Sequence, residues 1–135
     1  MAKVHKDPIK EAERYLQNAK EILSEKAGKD GDYYTDPKYV RMAGNTAWNG
    51  VLVALDGVLP VRENLKKGQR LSIDHYKDAV YKRDRKMIQP FISSYNNLHM
   101  FLGYDGELRY KTVKDGMDLG KQMVAWAAKY HKPTA

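Results

Sequence analysis

The sequence predicts an all-α fold, an up-down four-helix bundle whose third helix is kinked or split. Three observations lead there. Apolar residues recur at spacings of three and four along most of the chain. No segment alternates apolar and polar residues for long, so only "ELRY" (107–110) suits a short extended piece. Polar, glycine-bearing loops separate long helical stretches, as antiparallel neighbouring helices require.

The first two helices start with the same device. Asp7-Pro8 and Asp36-Pro37 each set an acidic N-cap before a proline at the first helical position. The carboxylate accepts a backbone N–H that has no partner inside the helix, and proline has no N–H to leave orphaned there. Ile9, Ala12, Leu16, Ala19 and Leu23 then define an amphipathic helix over about 7–27, ending near Gly28. Val40, Ala43, Ala47, Val51, Ala54 and Val58 define a second over about 36–59, stopped by Pro60. The link "GKDGDYYT" reads as a polar loop.

Ser72 opens the third stretch, about 72–102, with Ile73, Tyr76, Val80, Arg83 and Met87 in its stripe. Pro90 removes one helical hydrogen bond and is the expected point of the kink or break. Beyond it Phe91, Tyr95, Leu98 and Leu102 continue the stripe, and Gly103 is the expected left-handed residue after the helix. Thr112, with Asp115 three residues on, suggests an approximate capping box for the last helix, about 112–130. Gly44, Gly50, Gly116 and Gly120 lie inside helices at a cost of about 1 kcal/mol each relative to alanine, which implies close helix crossings there. Leu16, Leu23, Val51, Leu55, Leu98 and Val124 are the expected core.

With 135 residues the chain is read as one domain, 1–135, and 42% apolar residues suffice for one core. It contains no cysteine, so disulfides and thiol catalysis are excluded. The start "MAKVHKDPIK" lacks the apolar stretch of a secretory signal, and no apolar run approaches the ~20 residues that cross a bilayer. A cytoplasmic protein without membrane partners is expected. The formal charge is +7, and residues 62–86 hold nine Lys or Arg against four acids, hence +5 of it. Such an excess attracts phosphates. Lys82, Arg83, Arg85 and Lys86 are its candidate phosphate or nucleic-acid contacts, and RNA or a nucleotide its candidate partner.

A polar flank of the second helix, Arg41, Asn45, Asn49 and Asp56, makes Asn45, Asn49, Asp56 and His99 candidates for a polar groove or for bonds to a neighbouring helix. Arg83, inside an apolar stripe, needs a partner, for which Asp56 is available. No metal site or cofactor is expected. H-E-x-x-H and paired Glu-x-x-His are absent, and "DGDYYTD" lacks the glycine and distal glutamate of a calcium loop. Glycine-rich phosphate loops are absent as well.

"EAERYLQNAKEIL" followed by "YVRMAGNTAWNGVLVALDGVL", with "YNNLHMFLGYDG" further on, resembles the HEPN superfamily of small helical bundles, and an uncharacterised bacterial family of that type. The resemblance implies, in many members, ribonuclease activity from an Arg, four to six intervening residues and a His, commonly assembled across a dimer, and in others only nucleotide or nucleic-acid binding or partnership with a nucleotidyltransferase. No Arg stands at the matching distance before His99; Arg70 and His75, in "RLSIDH", fit the count. A non-catalytic binding bundle is therefore the expected function. The alternatives are a metal-independent ribonuclease using Arg70 and His75, and a purely structural or protein-interaction homodimer.

Overall fold

The computed structural model of the chain describes residues 7–132. The first six residues of "MAKVHKDPIK" and the last three of the expected domain lie outside them. Helices α1 (Pro8–Glu25) and α2 (Pro37–Val58) start as expected: Asp7 Oδ1 accepts from Lys10 N–H at 3.0 Å, and Asp36 Oδ1 from Lys38 N–H at 3.0 Å. The hydrogen bond from Lys10 N–H is the main reason the Asp7 carboxyl is held below its ordinary range. The "GKDGDYYT" link is more ordered than a loop. Its strands β1 (Lys29–Asp30) and β2 (Tyr33–Tyr34) form a small antiparallel hairpin.

The "ELRY" stretch joins that hairpin. Tyr34 N–H donates to Leu108 O and Tyr110 N–H to Asp32 O, both at 2.8 Å, and Tyr33 bridges to Arg109. This anchor starts α5 (Tyr110–Ala128) two residues before the expected Thr112. Thr112 lies inside the helix and is not its cap.

The chain is mostly helical, and the third stretch, expected to be kinked or split, is divided into several elements. It comprises α3 (Ile73–Arg83), a 3₁₀ turn (Arg85–Met87), α4 (Ile88–Ser94) and a ten-residue π-helical segment (Tyr95–Tyr104). The split falls at Asp84, not at Pro90. Asp84 is extended (φ −161°, ψ 100°), its N–H closes α3 on Val80 O, and its carboxylate accepts from Lys86 N–H at 3.1 Å to open the next turn. Pro90 is the third residue of α4, within a first turn where a missing N–H costs little.

The π segment also ends later than the sequence suggests. Gly103 is not the left-handed residue; Gly106 is, at φ +68°, with its N–H on Leu102 O at 2.9 Å. The physical cause is α2. Asn45 Nδ2 donates to Gly103 O at 3.2 Å, Arg41 Nε to Tyr104 O at 3.2 Å, and an Arg41 terminal nitrogen to Asp105 O at 3.4 Å. Carbonyls that a helix end leaves orphaned thus gain donors from a neighbouring helix.

Helix α2 is central, contacted by α1, the π segment and α5. It runs antiparallel to α1, since Gly50 packs on Ala12 and Tyr15 while Gly57 packs on Pro8. Gly44, Gly116 and Gly120 lie at close approaches as well, all three against the π segment. Each core residue expected from the sequence is buried, with Val51, Leu55 and Leu98 fully so. No helix among the described residues is long and apolar enough to cross a membrane.

Candidate functional site

The basic segment 62–86 covers the irregular stretch after α2, then α3 and the 3₁₀ turn. Arg62 is bound to Asp56 by two nitrogens, with contacts of 2.9, 3.0 and 3.3 Å. Asp56 is therefore the partner of Arg62 and not of Arg83, and it ties the loop to the end of α2. Tyr76 is buried against this pair. Burial, then the negative charge of Asp56, push its phenol up to about 12.

The sign of that shift fixes a pH dependence. Unfolded tyrosine ionises near 10, so above that pH the unfolded chain binds fewer protons than the folded one. The stabilisation is complete below pH 10 and is lost as pH rises towards about 12. The free energy of unfolding should fall across this window by on the order of 2 kcal/mol, read from urea denaturation at each pH. Tyr76→Phe should flatten the fall; an equally steep fall in that variant would assign it to other groups.

The remaining eight basic residues of the segment form no ion pair among the described residues. Lys82, Arg83, Arg85 and Lys86 are all exposed at the C-terminal end of α3 and in the following turn. Two of them lie on rings: the Arg83 guanidinium is 4.1 Å from the centre of Tyr130, and that of Arg85 is 5.8 Å from the centre of the half-exposed Tyr81. Positive charge in the last turn of α3 also complements the helix dipole. A cleft of about 210 Å³ beside this cluster is lined by Asn64, His75, Lys82 and Arg83, with Glu63 and Asp78 as acids.

His75 is fixed within this cleft. Its Nδ1 accepts from Ser72 N–H at 3.0 Å, and Ser72 Oγ lies 2.9 Å from the same nitrogen. Arg70 is exposed, two residues outside the Ser72 cap, with no hydrogen bond or ion pair among the described residues, and it does not line the cleft. The Arg–His spacing in the sequence is thus interrupted by a helix start.

The other polar candidates do not share one cleft. Asn45 binds Gly103 O and Asn49 is exposed with no hydrogen bond among the described residues, while Asp56 holds Arg62. His99 is half-buried between Trp48 and Tyr95, with ring centres 6.1 and 5.4 Å away. Its Nδ1 is buried without a hydrogen-bond partner among the described residues, as are Asn97 Oδ1 and Trp126 Nε1. Asn97 Nδ2 donates to Thr112 O at 2.9 Å, joining the π segment to α5. Among the described residues no three His, Asp or Glu side chains gather where they could hold a metal ion.

A second, larger groove of about 650 Å³ runs between α1 and α5, away from the basic segment. Sequence reasoning missed it, since each helix alone presents an ordinary amphipathic stripe. The groove exists because both helices pack on α2 and meet each other over a smaller contact.

Comparison with other proteins places the chain without assigning it a role. A solved protein of unknown function from Dyadobacter fermentans is 38% identical, with a TM-score of 0.77 over 90% of this chain and 93% of that one. No curated protein matches. Neither finding ties the chain to the HEPN superfamily in particular. Residues 7–129 match the domain of unknown function DUF5618, and the chain belongs to that family.

Proposed function

We propose that this chain is a non-catalytic helical module that holds a polyanion, a nucleotide or nucleic-acid strand, on the basic surface of residues 62–86. The observation that carries this reading is the eight basic side chains there without ion pairs among the described residues. Unneutralised charge at that density attracts phosphate. The exposed Tyr81 beside Arg85 offers a face on which a base can stack. The HEPN-like pattern of α1 and α2 points the same way. In this reading the module works in the cytoplasm, as a monomer or homodimer.

Single-stranded RNA titrated against the protein, followed by fluorescence anisotropy, tests it. Affinity should fall steeply as salt rises, because each neutralised phosphate releases counterions. The triple variant Lys82→Ala, Arg85→Ala, Lys86→Ala should bind more weakly and reduce the log–log salt slope by about 2. No binding at low salt would overturn the proposal. Cleavage of the RNA that persists with chelator, and disappears in both Arg70→Ala and His75→Ala, would replace it with the ribonuclease. Against that outcome stands the Ser72 cap between the two residues: it holds His75 Nδ1, leaving only Nε2 to exchange a proton, and Arg70 does not line the cleft that holds His75.

A further inference from the structure

Helix α3 begins on a cap that only an uncharged histidine completes. His75 stands at the third helical position, where a capping box ordinarily carries Glu or Gln. Its Nδ1 accepts from Ser72 N–H at 3.0 Å. The peptide plane fixes the direction of that hydrogen, so Nδ1 presents its lone pair and the proton of the neutral ring is on Nε2. Ser72 Oγ lies 2.9 Å from the same nitrogen, and a hydroxyl donates or accepts by rotating its hydrogen. The backbone N–H has no such choice.

Protonation of the ring therefore acts on one bond in particular. In a charged imidazole both nitrogens are donors. The new Nδ1–H is able to turn to Ser72 Oγ, but it meets Ser72 N–H donor against donor, and that bond is lost. The charge also stands in the first turn of α3, at the positive end of the helix dipole. Both effects oppose the cap.

The cap matters because little else holds this end of α3. The helix rests on the bundle through small contacts with α2 and α4. Leu71 and Ile73, on either side of Ser72, are half-buried against the core, whereas residues 66–70 before them are exposed. Ser72 is thus the point at which the chain turns from loop into core. Charges of both signs face the ring in its cleft: Glu63 from the stretch after α2, and Asp78, Lys82 and Arg83 from α3 itself, with Asp74 beside it in the chain. Glu63 and Asp78 form no ion pair among the described residues, so a charged ring has carboxylates to turn towards.

We propose that His75 is a pH-sensitive latch. Neutral, it fastens the start of α3 through Ser72 N–H. Charged, it releases that bond and loosens the first turn of α3, together with the wall of the cleft that His75 forms. The latch does not depend on what the basic surface binds.

Residue-resolved NMR between about pH 8 and 5, the range in which an imidazole changes charge, tests this and separates His75 from the other histidines. At the alkaline end the nitrogen shifts of the ring should show an unprotonated Nδ1 and a protonated Nε2. As the ring charges, the Ser72 amide proton should move upfield along the same titration curve. Its protection from exchange should fall by roughly two- to tenfold, the worth of one hydrogen bond, and the first-turn amides of α3 should follow. His75→Gln should keep the Ser72 amide protected across the whole range, because Gln accepts at this position without titrating. His75→Ala should leave it unprotected throughout. A proton on Nδ1 at the alkaline end would overturn the proposal. So would a Ser72 amide that ignores the titration of the ring, or one that still titrates in His75→Gln, since a neighbouring acid such as Asp74 would then be the cause.

Discussion

Leu98→Ala is expected to lower the stability of the protein by about 2–5 kcal/mol, the range for truncating a buried leucine. Leu98 is fully buried on the π segment and points at α5. A methyl added at Gly116 would stand 3.1 Å from its Cδ2, and one added at Gly120 would stand 3.2 Å from its Cδ1. These two glycines, four residues apart, form a trough that the leucine fills. Removing the side chain leaves a void walled by two helices whose backbones already touch their neighbours, so little collapse can close it. The upper half of the range is therefore expected. Gly120→Ala in the Leu98→Ala background should recover part of the loss, while the same change in the parent should not stabilise. Urea denaturation of the four proteins measures both effects. A loss below half a kcal/mol, or additive effects, would mean that the trough and its leucine are not in contact.

Gly44→Ala is expected to destabilise by about 1–3 kcal/mol, although alanine is the better helix former. The added carbon would lie 2.5 Å from Leu102 Cβ, 2.7 Å from Leu98 O and 2.8 Å from Gly103 N. Two of those atoms are backbone and the third is the root of a side chain, so no rotamer change relieves the crowding. The π segment would have to move away from α2. That movement would stretch the bonds from Asn45 and Arg41 to carbonyls 103–105 as well. Asn49→Ala, one turn further along the exposed face of α2, is the control and should stay within about half a kcal/mol. A stability gain in Gly44→Ala would show that the two helices are further apart than this packing requires.

Much of this fold can be read along the chain because the responsible interactions are local. The Asp-Pro starts of α1 and α2, their apolar spacing and the stop near Pro60 each depend on residues a few positions apart, and all form as the sequence implies. Ser72 as the start of α3 belongs with them, while the bond from its N–H to His75 Nδ1 is seen only in the structure. The positive charge of residues 62–86 is likewise a property of the sequence, as is the absence of cysteine.

Only the tertiary structure decided what depends on partners distant in the chain. Asp84 breaks the third stretch where Pro90 looked the stronger breaker. An acid that caps the next turn ends a helix without help, whereas a proline in a first turn can be absorbed. Helix Tyr95–Tyr104 winds as a π-helix and overruns Gly103 because Arg41 and Asn45, about sixty residues earlier, donate to its last carbonyls. Arg41 and Asn45 of the polar flank of α2 are thereby explained as fastening for a neighbouring helix, whereas Asp56 holds the loop through Arg62. Asp56 takes Arg62 and leaves Arg83 on the Tyr130 ring, a choice set by which side chains the loop and α5 bring near. The α1–α5 groove has no signature in either helix. It arises because both pack on α2 and meet each other over a smaller contact, and amphipathic spacing fixes which face a helix buries, not how closely two buried faces meet.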